Sequence, residues 1–396
     1  MIRSVESLLY KNHNRWLMLK RMRGKSLFYS ILIVTGSIIH LSASAQFTKY
    51  SNEFLNIGAG ARGMSMAGAQ VASVSDGTAG YWNPAALANI RDNPQLNLMH
   101  AEYYAGVGKY DFASLVLPLK DNKRTIGLTL LRFAVDDIPN TIFLVQPDGT
   151  VNFDNITTFS SADYAFIFSL AQKGNLGKLD FNIGGNAKVI YRKAGDFATA
   201  WGFGFDAAAL LSGKRWKLGV IAKDVTTTFN AWSFSLSEAI RQVFYETQNE
   251  IPGKSTELTA PQLLVGGSYN FRINKKVSLL VEGDLNVTFD GRRNTVISTN
   301  PVSIDPRLGV ELNFKDVFFV RGGINNFQQA LDDRDTLNQR KIWIYQPSVG
   351  AGFKVGDVQI DYAFTNLANQ SYPLYTHVFS LRVDLKRKEE KDKKKR

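Results

Sequence analysis

From about residue 95 onward, apolar and polar residues alternate along the chain in segments of about ten residues. At the start of the segment 178–192, Leu179 and Phe181 alternate with Asp180 and Asn182. Successive side chains of an extended strand point to opposite faces, so each such segment has one apolar face and one polar face. This period-two pattern predicts a succession of β-strands and an all-β fold class.

Fourteen such segments occur, and the connections between them alternate between short and long. Every second connection has about five residues or fewer, whereas the others include the long segments 136–161 and 225–260. Short turns at one rim, long loops at the other and an even number of strands are typical of bacterial outer-membrane barrels. The predicted strands are residues 95–105, 109–119, 125–135, 162–172, 178–192, 200–211, 216–224, 261–271, 276–289, 303–314, 317–327, 345–355, 358–366 and 375–385.

A secreted β-sandwich is the alternative to a membrane barrel, because alternation shows only that each strand has two different faces. Segment lengths of about 9 to 15 residues match a tilted membrane crossing and favour the barrel. Aromatic residues near segment ends, such as Tyr191 and Trp201, also favour it, since aromatic girdles mark the membrane interfaces. We therefore predict a transmembrane barrel of about 14 antiparallel strands over residues 95–385, in contact with outer-membrane lipid and with both mature termini on the periplasmic, short-turn side.

The first 45 residues have the pattern of an export signal. An apolar core follows a basic stretch, and the small residues Ala43 and Ala45 match a cleavage pattern, so cleavage is expected before Gln46. The apolar core is short for a membrane span. Residues 1–17 precede an otherwise ordinary signal and are a candidate for an over-extended gene start. We predict that residues 1–45 form a signal peptide and that the mature chain is exported.

The net charge of +12 is concentrated at the two ends of the chain. Residues 1–45 have seven basic residues and one acidic residue, and residues 386–396 have eight and three, so only about +1 falls on the residues between them. The body of the protein therefore lacks the basic face that nucleic-acid binding requires. We interpret residues 386–396 as a solvated basic tail, with contact to anionic lipid headgroups or to a periplasmic partner as the alternative.

Residues 46–94 do not alternate and are rich in Gly, Ala and Ser. Such a segment has too few large apolar residues for a core of its own, and we predict that it fills the barrel lumen as a hatch. The inward polar positions of the strands carry charges of both signs, which favours a salt-bridged filling over a pore selective for one sign. The alternatives are a flexible linker and, more weakly, a glycine-rich phosphate loop, although no strand precedes it. The predicted inward charged residues are Lys188, Arg192, Glu282, Asp284, Arg307, Glu311, Arg321, Arg382 and Asp384.

The hatch closes with the motif Trp82, Asn83, Pro84 and Ala85, and the stretch that leads to it resembles the N-terminal hatch of FadL-like outer-membrane barrels. The resemblance is specifically to the PorV/PorQ branch of the Bacteroidota, and it covers essentially the whole mature chain. It implies a 14-stranded, non-enzymatic barrel with one of two roles. The role we favour is an accessory of the type IX secretion system that binds or hands over secreted proteins at the cell surface, with that system and its cargo as partners. The alternative is a channel for the uptake of hydrophobic small molecules.

The long connection 225–260 contains a predicted amphipathic helix over residues 236–247. Ser235 and Glu238 have the spacing of a capping box, and apolar residues follow at helical spacing. One interpretation is that the apolar residues pack the loop onto the barrel mouth. The functional alternative is a groove that binds a lipid-like ligand or a partner protein. The candidate binding residues are Phe229, Trp232, Leu236, Ile240, Val243 and Phe244.

The sequence offers little for catalysis or for a cofactor. In the mature chain the only histidines are His100 and His377, neither lies in a nucleophile motif, and we predict that each is a rim or lumen residue. The chain has no cysteine and no His or Asp spacing that is typical of a metal site. We interpret the acidic run 332–335 as a solvated loop. The sequence therefore predicts no enzyme activity, no cofactor and no metal.

Overall fold

The computed structural model of the chain describes the barrel and most of the predicted hatch. The predicted signal peptide lies outside the described residues, as do most of the acidic run and most of the basic tail. None of the helices in the described part is both long enough and apolar enough to cross a bilayer. The described residues are 51–121, 123–146, 148–332, 340–367 and 375–386.

The period-two segments form strands because their alternating side chains give each strand an apolar face and a polar face. The described residues contain seventeen strands, all in one antiparallel sheet. The first nine strands are β1 (Gln95–Tyr103), β2 (Gly108–Pro118), β3 (Arg124–Asn140), β4 (Thr157–Leu176), β5 (Leu179–Ala194), β6 (Ala198–Ser212), β7 (Trp216–Lys223), β8 (Thr228–Phe234) and β9 (Ser255–Thr259). The other eight are β10 (Gln262–Arg272), β11 (Val277–Thr288), β12 (Ile297–Ser298), β13 (Ser303–Phe314), β14 (Phe318–Leu331), β15 (Lys341–Val355), β16 (Val358–Thr365) and β17 (Thr376–Asp384).

The sheet closes on itself because β1 pairs with both β2 and β17. Gln95 of β1 lies opposite Val116 on one side and opposite Asp384 on the other. Fourteen strands form the closed ring, and β8, β9 and β12 add to it at the long-loop end. The prediction of an all-β, 14-stranded antiparallel barrel is confirmed.

The connection predicted over residues 225–260 is shorter than expected, because strands occupy both of its ends. β8 pairs with the long-loop half of β6, and β9 pairs with β8. Between β7 and β8 the backbone bends, with left-handed conformations at Asp224 and Thr227 (φ 55° and 58°). β7 and β8 therefore form one bent wall strand. The sequence prediction missed β8 because the threonines that follow Asp224 interrupt the apolar alternation.

The exterior of the barrel is apolar, as a lipid-facing surface must be. On β4, Phe166, Phe168 and Leu170 point outward and are 46–49 % exposed, whereas Ser169 between them faces the lumen and is buried. A closed sheet leaves no unpaired strand edge in the hydrocarbon. The barrel is therefore a membrane-spanning barrel of the outer-membrane type.

The structure places His100 on the outer face of β1, three residues before the strand ends at the long-loop rim, so of the two predicted positions it excludes the lumen. Its neighbour Met99 is buried against the hatch, so the strand period places His100 on the outer face. There His100 Nδ1 lies 2.7 Å from Asp111 Oδ1 of β2. His377 is the second residue of β17 and lies near the long-loop end, where its Nδ1 is 2.8 Å from the Tyr362 hydroxyl.

The described part of the hatch, residues 51–94, lies inside the barrel and forms most of the core with the inner wall. Its small residues form only short helical elements, because no element has enough large side chains to pack alone. These elements are α1 (Ala61–Ser65), α2 (Ala79–Trp82) and the 3₁₀ turns Glu53–Asn56 and Pro84–Asn89. The core between hatch and wall includes Phe54, Trp82, Leu87, Tyr110, Leu131 and Ile190.

The described chain enters the lumen from the long-loop end. Asn52 Nδ2 donates to Thr259 Oγ1 of β9 (2.8 Å), and Asn230 Nδ2 of β8 donates to Asn52 Oδ1 (3.0 Å). The last strand ends at the opposite, short-turn end, where the Leu385 amide donates to the Pro94 carbonyl oxygen (2.7 Å). The mature N-terminus at Gln46 and the end of the basic tail, both predicted on the short-turn side, lie outside the described residues.

Candidate functional site: the hatch and the mouth cavity

The motif Trp82, Asn83, Pro84 and Ala85 fixes the fold of the hatch. Trp82 Nε1 donates to a carbonyl oxygen of the glycine-rich stretch at 2.8 Å, and Asn83 Nδ2 donates to the Val71 carbonyl oxygen at 2.7 Å. Asn83 Oδ1 accepts the Ala85 amide at 3.1 Å and so caps the 3₁₀ turn that begins at Pro84. Asn83 Nδ2 also lies 3.4 Å from the Ala209 carbonyl oxygen of β6, so the motif holds the hatch together and places it against the wall.

Glycines on the inner wall allow the hatch backbone to approach the strands closely. A β-carbon at Gly184 of β5 would lie 2.5 Å from the Ala85 amide nitrogen, and one at Gly309 of β13 would lie 2.8 Å from Met66 Cβ. Gly219 of β7 faces a hatch carbonyl group in the same way. This contact surface was not predicted from the sequence. Its signal was glycine at inward positions of several strands, but the pattern alone does not show what those positions face.

Two carboxylates of β11 hold the hatch loop 70–73 through its backbone amides. Asp284 accepts the amides of residues 70 and 71 at 2.8 and 3.0 Å, and Glu282 accepts those of residues 72 and 73 at 2.7 and 3.2 Å. Both carboxylates are buried. Each carboxyl group accepts two backbone amides through a single oxygen, so these four bonds fasten the loop to the wall without a covalent link.

A chain of buried ion pairs joins the hatch to three wall strands. Arg62 Nε of the hatch and Arg321 Nε of β14 lie 2.8 and 2.6 Å from Glu311 Oε2 of β13. Arg321 Nη1 lies 2.6 Å from Asp361 Oδ1 of β16. Because each charge has a partner, all four groups are buried without an isolated charge. These inward charges of both signs form the salt-bridged filling that the sequence analysis expected.

A second buried network fixes the bend between β7 and β8. Lys188 Nζ of β5 lies 2.7 Å from Asp206 Oδ1 and 2.5 Å from Asp224 Oδ1. The Asp224 amide donates to Asp206 Oδ1 at 2.9 Å, and the Thr228 hydroxyl donates to Asp224. The Lys188 ammonium therefore bridges the two carboxylates at the point where the wall strand changes direction.

A cavity of about 590 Å³ opens at the long-loop end, above the hatch. Part of its lining is aromatic or apolar, and within this part Tyr103 packs edge-on against Phe133 with ring centroids 6.3 Å apart. The remainder of the lining is polar and charged. The apolar lining residues are Phe54, Ile57, Tyr103, Tyr104 and Phe133, and the charged ones are Glu53, Asp163, Arg192, Arg293, Asp305 and Arg307. The cavity thus suits a molecule that has an apolar body and a polar end.

Carboxylates hold two cavity arginines in place. Arg192 Nε lies 2.9 Å from Asp163 Oδ1. Arg293 Nη2 lies 2.6 Å from Asp290 Oδ2, and its Nη1 lies 3.1 Å from Glu53 Oε1. Burial lowers the pKa of Arg293, but the contacts with Asp290 and Glu53 outweigh this effect and raise the pKa above its ordinary value. The polar part of the cavity therefore contains cations that are fixed in position.

The six candidate residues of the long connection do not form one groove. Phe229 and Trp232 lie on β8, on opposite faces of the wall. Phe229 points outward beside Phe203, with ring centroids 5.8 Å apart. Trp232 points inward, and the Arg192 guanidinium lies 5.1 Å from the centre of its ring. The strand period separates the two aromatic side chains, although only two residues lie between them in the sequence.

The other four candidates belong to the predicted helix, which is present as α3 (Glu238–Glu246). Its N-cap is Ser237, whose Oγ accepts the Ile240 amide at 3.3 Å, and not Ser235 as predicted. Ile240 is the buried residue of the helix. The remaining candidates, Leu236, Val243 and Phe244, are partly buried.

Within the described residues, no three His, Asp or Glu side chains are grouped to hold a metal ion. No protein-family model and no curated protein matches the chain. Solved structures match it at low sequence identity. The Ralstonia pickettii toluene transporter TbuX has 12 % identity and a TM-score of 0.50 over 83 % of this chain and 98 % of its own.

Two further matches are the Pseudomonas putida toluene transporter TodX and a Pseudomonas aeruginosa FadL homologue. TodX has 12 % identity and a TM-score of 0.48 over 82 % of this chain and 96 % of its own. The FadL homologue has 15 % identity and a TM-score of 0.46 over 82 % and 98 %. None of these matches bears on the PorV/PorQ resemblance. At these identities the likeness is one of fold, and the chain shares with these structures the fold of a closed antiparallel β-barrel, here with 14 strands in the ring.

Proposed function

We propose that the protein is a hatch-gated barrel that takes up small amphipathic molecules, each with an apolar body and a polar or anionic end. The observation that carries the proposal is the mouth cavity, where Tyr103 and Phe133 lie in the same lining as the arginines Arg192 and Arg293. Apolar contact contributes roughly 25 cal/mol per Å² removed from water, and an arginine can orient an anionic end. The toluene transporter of similar fold supports uptake of small molecules with apolar surface.

Passage beyond the cavity requires a local shift of the hatch, because the hatch fills the lumen below. The bonds that hold loop 70–73 to Glu282 and Asp284 are non-covalent and can break and re-form. We propose that such a rearrangement opens the path while Trp82 and Asn83 keep the rest of the hatch folded. In this proposal residues 1–45 are removed as a signal peptide and the short-turn end faces the periplasm.

Ligand binding to the purified barrel in detergent tests the cavity. The probes are a dansyl-labelled fatty acid, which has an apolar chain and a carboxylate, and radiolabelled toluene, which has no polar end. Arg192→Gln should weaken fatty-acid binding about tenfold, or about 1.4 kcal/mol, and leave toluene binding unchanged. Tyr103→Ala should weaken both probes. The exposed Arg241→Gln on α3 is the matched charge control, and equal binding by all variants would contradict the proposal.

A second candidate is the secretion-accessory role that the resemblance of the hatch implies. The observation that favours it is α3, where Tyr245 is 78 % exposed beside the partly buried Val243 and Phe244. An exposed aromatic on a long-loop helix is a possible contact for a partner protein. Gene deletion separates the two candidates. If the protein is a secretion accessory, its deletion should leave secreted proteins with type IX sorting signals unprocessed. If it is an uptake channel, its deletion should leave secretion normal and reduce uptake of the hydrophobic compound.

A further inference from the structure

A cavity of about 250 Å³ lies inside the barrel, on the short-turn side of the hatch. The hatch contributes Ser73 and Ser75 to its lining, and the wall contributes inward positions of β7, β10, β11 and β13. Ser73 belongs to the fastened loop 70–73, where its amide donates to Glu282 at 3.2 Å. The cavity therefore begins directly at this loop. Its wall residues include Lys217, Ser268, Asn270, Ser278, Leu280 and Asn313.

The cavity continues into a basin of about 370 Å³ between the short turns. Both spaces are on the lumen side of the wall, because the residues that line both include Ser278 and Asn313. Each of these lies an even number of residues from a buried inward carboxylate, Glu282 on β11 and Glu311 on β13, and so has the same orientation. We call cavity and basin together the lower vestibule.

The inward face of β11 runs from the mouth cavity to the lower vestibule. Asn286 lines the mouth cavity, and Leu280 lines the lower vestibule. Six residues of a strand span about 20 Å. The two inward positions between them are Asp284 and Glu282, which hold the loop 70–73. Along this strand, the loop therefore separates the two spaces.

The lower vestibule is rich in cations that have no carboxylate partner. Within the part of the chain that the structure describes, seven of its Lys and Arg residues form no ion pair, whereas cations elsewhere at the short-turn end do. The two carboxylates of the vestibule are already engaged. Glu311 pairs with Arg62 and Arg321, and Asp316 accepts a hydrogen bond from Asn313 Nδ2 at 2.5 Å. The seven cations are Lys214, Arg215, Lys217, Arg272, Lys275, Lys276 and Lys315.

We propose that the lower vestibule is the exit site of the uptake path, where the carboxylate of a fatty-acid-like molecule binds after it has passed the loop 70–73. The inference rests on the proposed function and adds a second binding site on the far side of the hatch. Unpaired cations attract an anionic end more strongly than arginines that carboxylates already hold, as at the mouth. They extend along the vestibule, from the half-buried Lys217 near the loop to the exposed Arg272 at the turns.

A single thiol in the lower vestibule tests its charge. The chain has no cysteine, so Ser278→Cys provides this thiol in the purified full-length barrel. We compare its reaction with an anionic and a cationic methanethiosulfonate reagent, each relative to the reaction with free 2-mercaptoethanol. The anionic reagent should react about tenfold faster than the cationic one. Adding Arg272→Gln, Lys275→Gln and Lys276→Gln should remove most of this preference, and retained heat-modifiable gel migration shows that the barrel still folds.

Protection of the same thiol from a neutral methanethiosulfonate reagent tests ligand binding. Decanoate should slow the modification, whereas decanol, which has the same chain length but no charge, should not. The triple Gln variant should lose the protection by decanoate. The matched control is Arg124→Gln, Lys173→Gln and Lys386→Gln, which removes the same charge from cations that are already paired and should keep the protection.

Uptake by cells that express each variant in place of the wild type tests the exit role. The triple variant of the vestibule, with Ser278 unchanged, should take up radiolabelled decanoate about tenfold more slowly, because its exit site holds the carboxylate less well. Its uptake of toluene should equal that of the wild type. Wild-type uptake of decanoate in this variant, equal protection by decanoate and decanol, or equal loss of protection in the control variant would each overturn the proposal.

Binding of the dansyl-labelled fatty acid at the mouth is measured separately. If that binding depends on Arg192 but decanoate does not protect the thiol, the proposed function stands and the exit site is wrong. If decanoate protects the thiol but no fatty acid binds at the mouth, the proposed function fails. The vestibule would then be a site for anions from the short-turn side, and its role as an exit would be overturned as well.

Discussion

The indole ring of Trp82 lies directly against the α-carbon of Gly63, where a β-carbon would be 2.8 Å from indole Nε1. Trp82 is 2 % exposed, and its Nε1 donates to the Ala59 carbonyl oxygen at 2.8 Å. The ring is therefore held by packing on one side and by a hydrogen bond from its nitrogen. The closing motif of the hatch and its glycine-rich stretch thus form one structural unit.

Gly63→Ala should destabilise the hatch. Alanine favours a helix over glycine by about 1 kcal/mol, and Gly63 lies in α1. The new β-carbon, however, meets a rigid indole ring, and overpacking typically costs about 1–3 kcal/mol. We expect the clash to prevail and hydrogen exchange of the α1 amides to become faster. Gly253→Ala is the control, because a β-carbon there has no neighbour within 4 Å. Slower exchange in Gly63→Ala would show that Trp82 can move aside.

Glu282→Gln and Asp284→Asn should loosen the hatch loop 70–73. Each substitution keeps the shape of the side chain but leaves one oxygen instead of two that can accept the backbone amides. A buried amide that loses its acceptor costs about 1–3 kcal/mol. Hydrogen exchange should therefore become faster at the amides of residues 70–73, while the barrel strands keep their protection. The exposed Glu250→Gln should leave these amides unchanged, and unchanged exchange in all three variants would contradict the proposed fastening.

The strand period allowed the barrel to be predicted, because inward and outward environments differ along almost every strand. The prediction failed where the sequence does not show the difference between inward and outward environments. At β8 the threonines after Asp224 interrupt the alternation, and the strand was taken for a loop. At His100 the register beside the buried Met99 places the side chain on the outer face, so register decides which face a strand residue occupies even where the residue is polar.

The site was less predictable than the fold because its contacts are long-range. The inward charges were identified from alternation, but the sequence does not show that Glu311 pairs with Arg62 and Arg321, which come from different parts of the chain. The mouth cavity was not predicted either. Its residues, such as Tyr103 and Arg192, come from strands that only barrel closure brings together. The six candidate residues of the long connection were predicted as one apolar cluster, and this prediction was wrong. The strand period of β8 and the helical period of α3 place their side chains on different surfaces.

Glu311→Gln should destabilise the protein strongly, because the Glu311 carboxylate pairs with two buried guanidinium groups. Removing one partner from a buried ion pair costs about 3–5 kcal/mol, which can be measured as the free energy of urea-induced unfolding. Adding Arg62→Met should recover part of this loss, since the double variant buries fewer unpaired charges. Glu238→Gln removes the exposed pair with Arg241 and should change stability by less than about 0.5 kcal/mol. Similar losses in Glu311→Gln and Glu238→Gln would show that the buried network adds no stability.

The double variant Ile240→Asp and Phe244→Asp should disrupt α3 without affecting the barrel or the mouth cavity. Ile240 is buried and Phe244 partly buried, so two charges there should expose the helix and speed its hydrogen exchange. Neither residue lines the mouth cavity, and binding of the dansyl-labelled fatty acid should therefore stay within twofold of wild type. Heat-modifiable gel migration checks that the barrel still inserts.

The same double variant distinguishes the two candidate functions of the long-loop end. If α3 binds a partner protein, co-purification of that partner and processing of secreted proteins should both fail, whereas uptake continues. The matched control is Arg241→Gln and Glu238→Gln, which changes the exposed, charged side of the helix and leaves its apolar residues intact. Loss of fatty-acid binding in the Asp variant, but not in this control, would mean that α3 shapes the mouth cavity and that the uptake site extends into the loop.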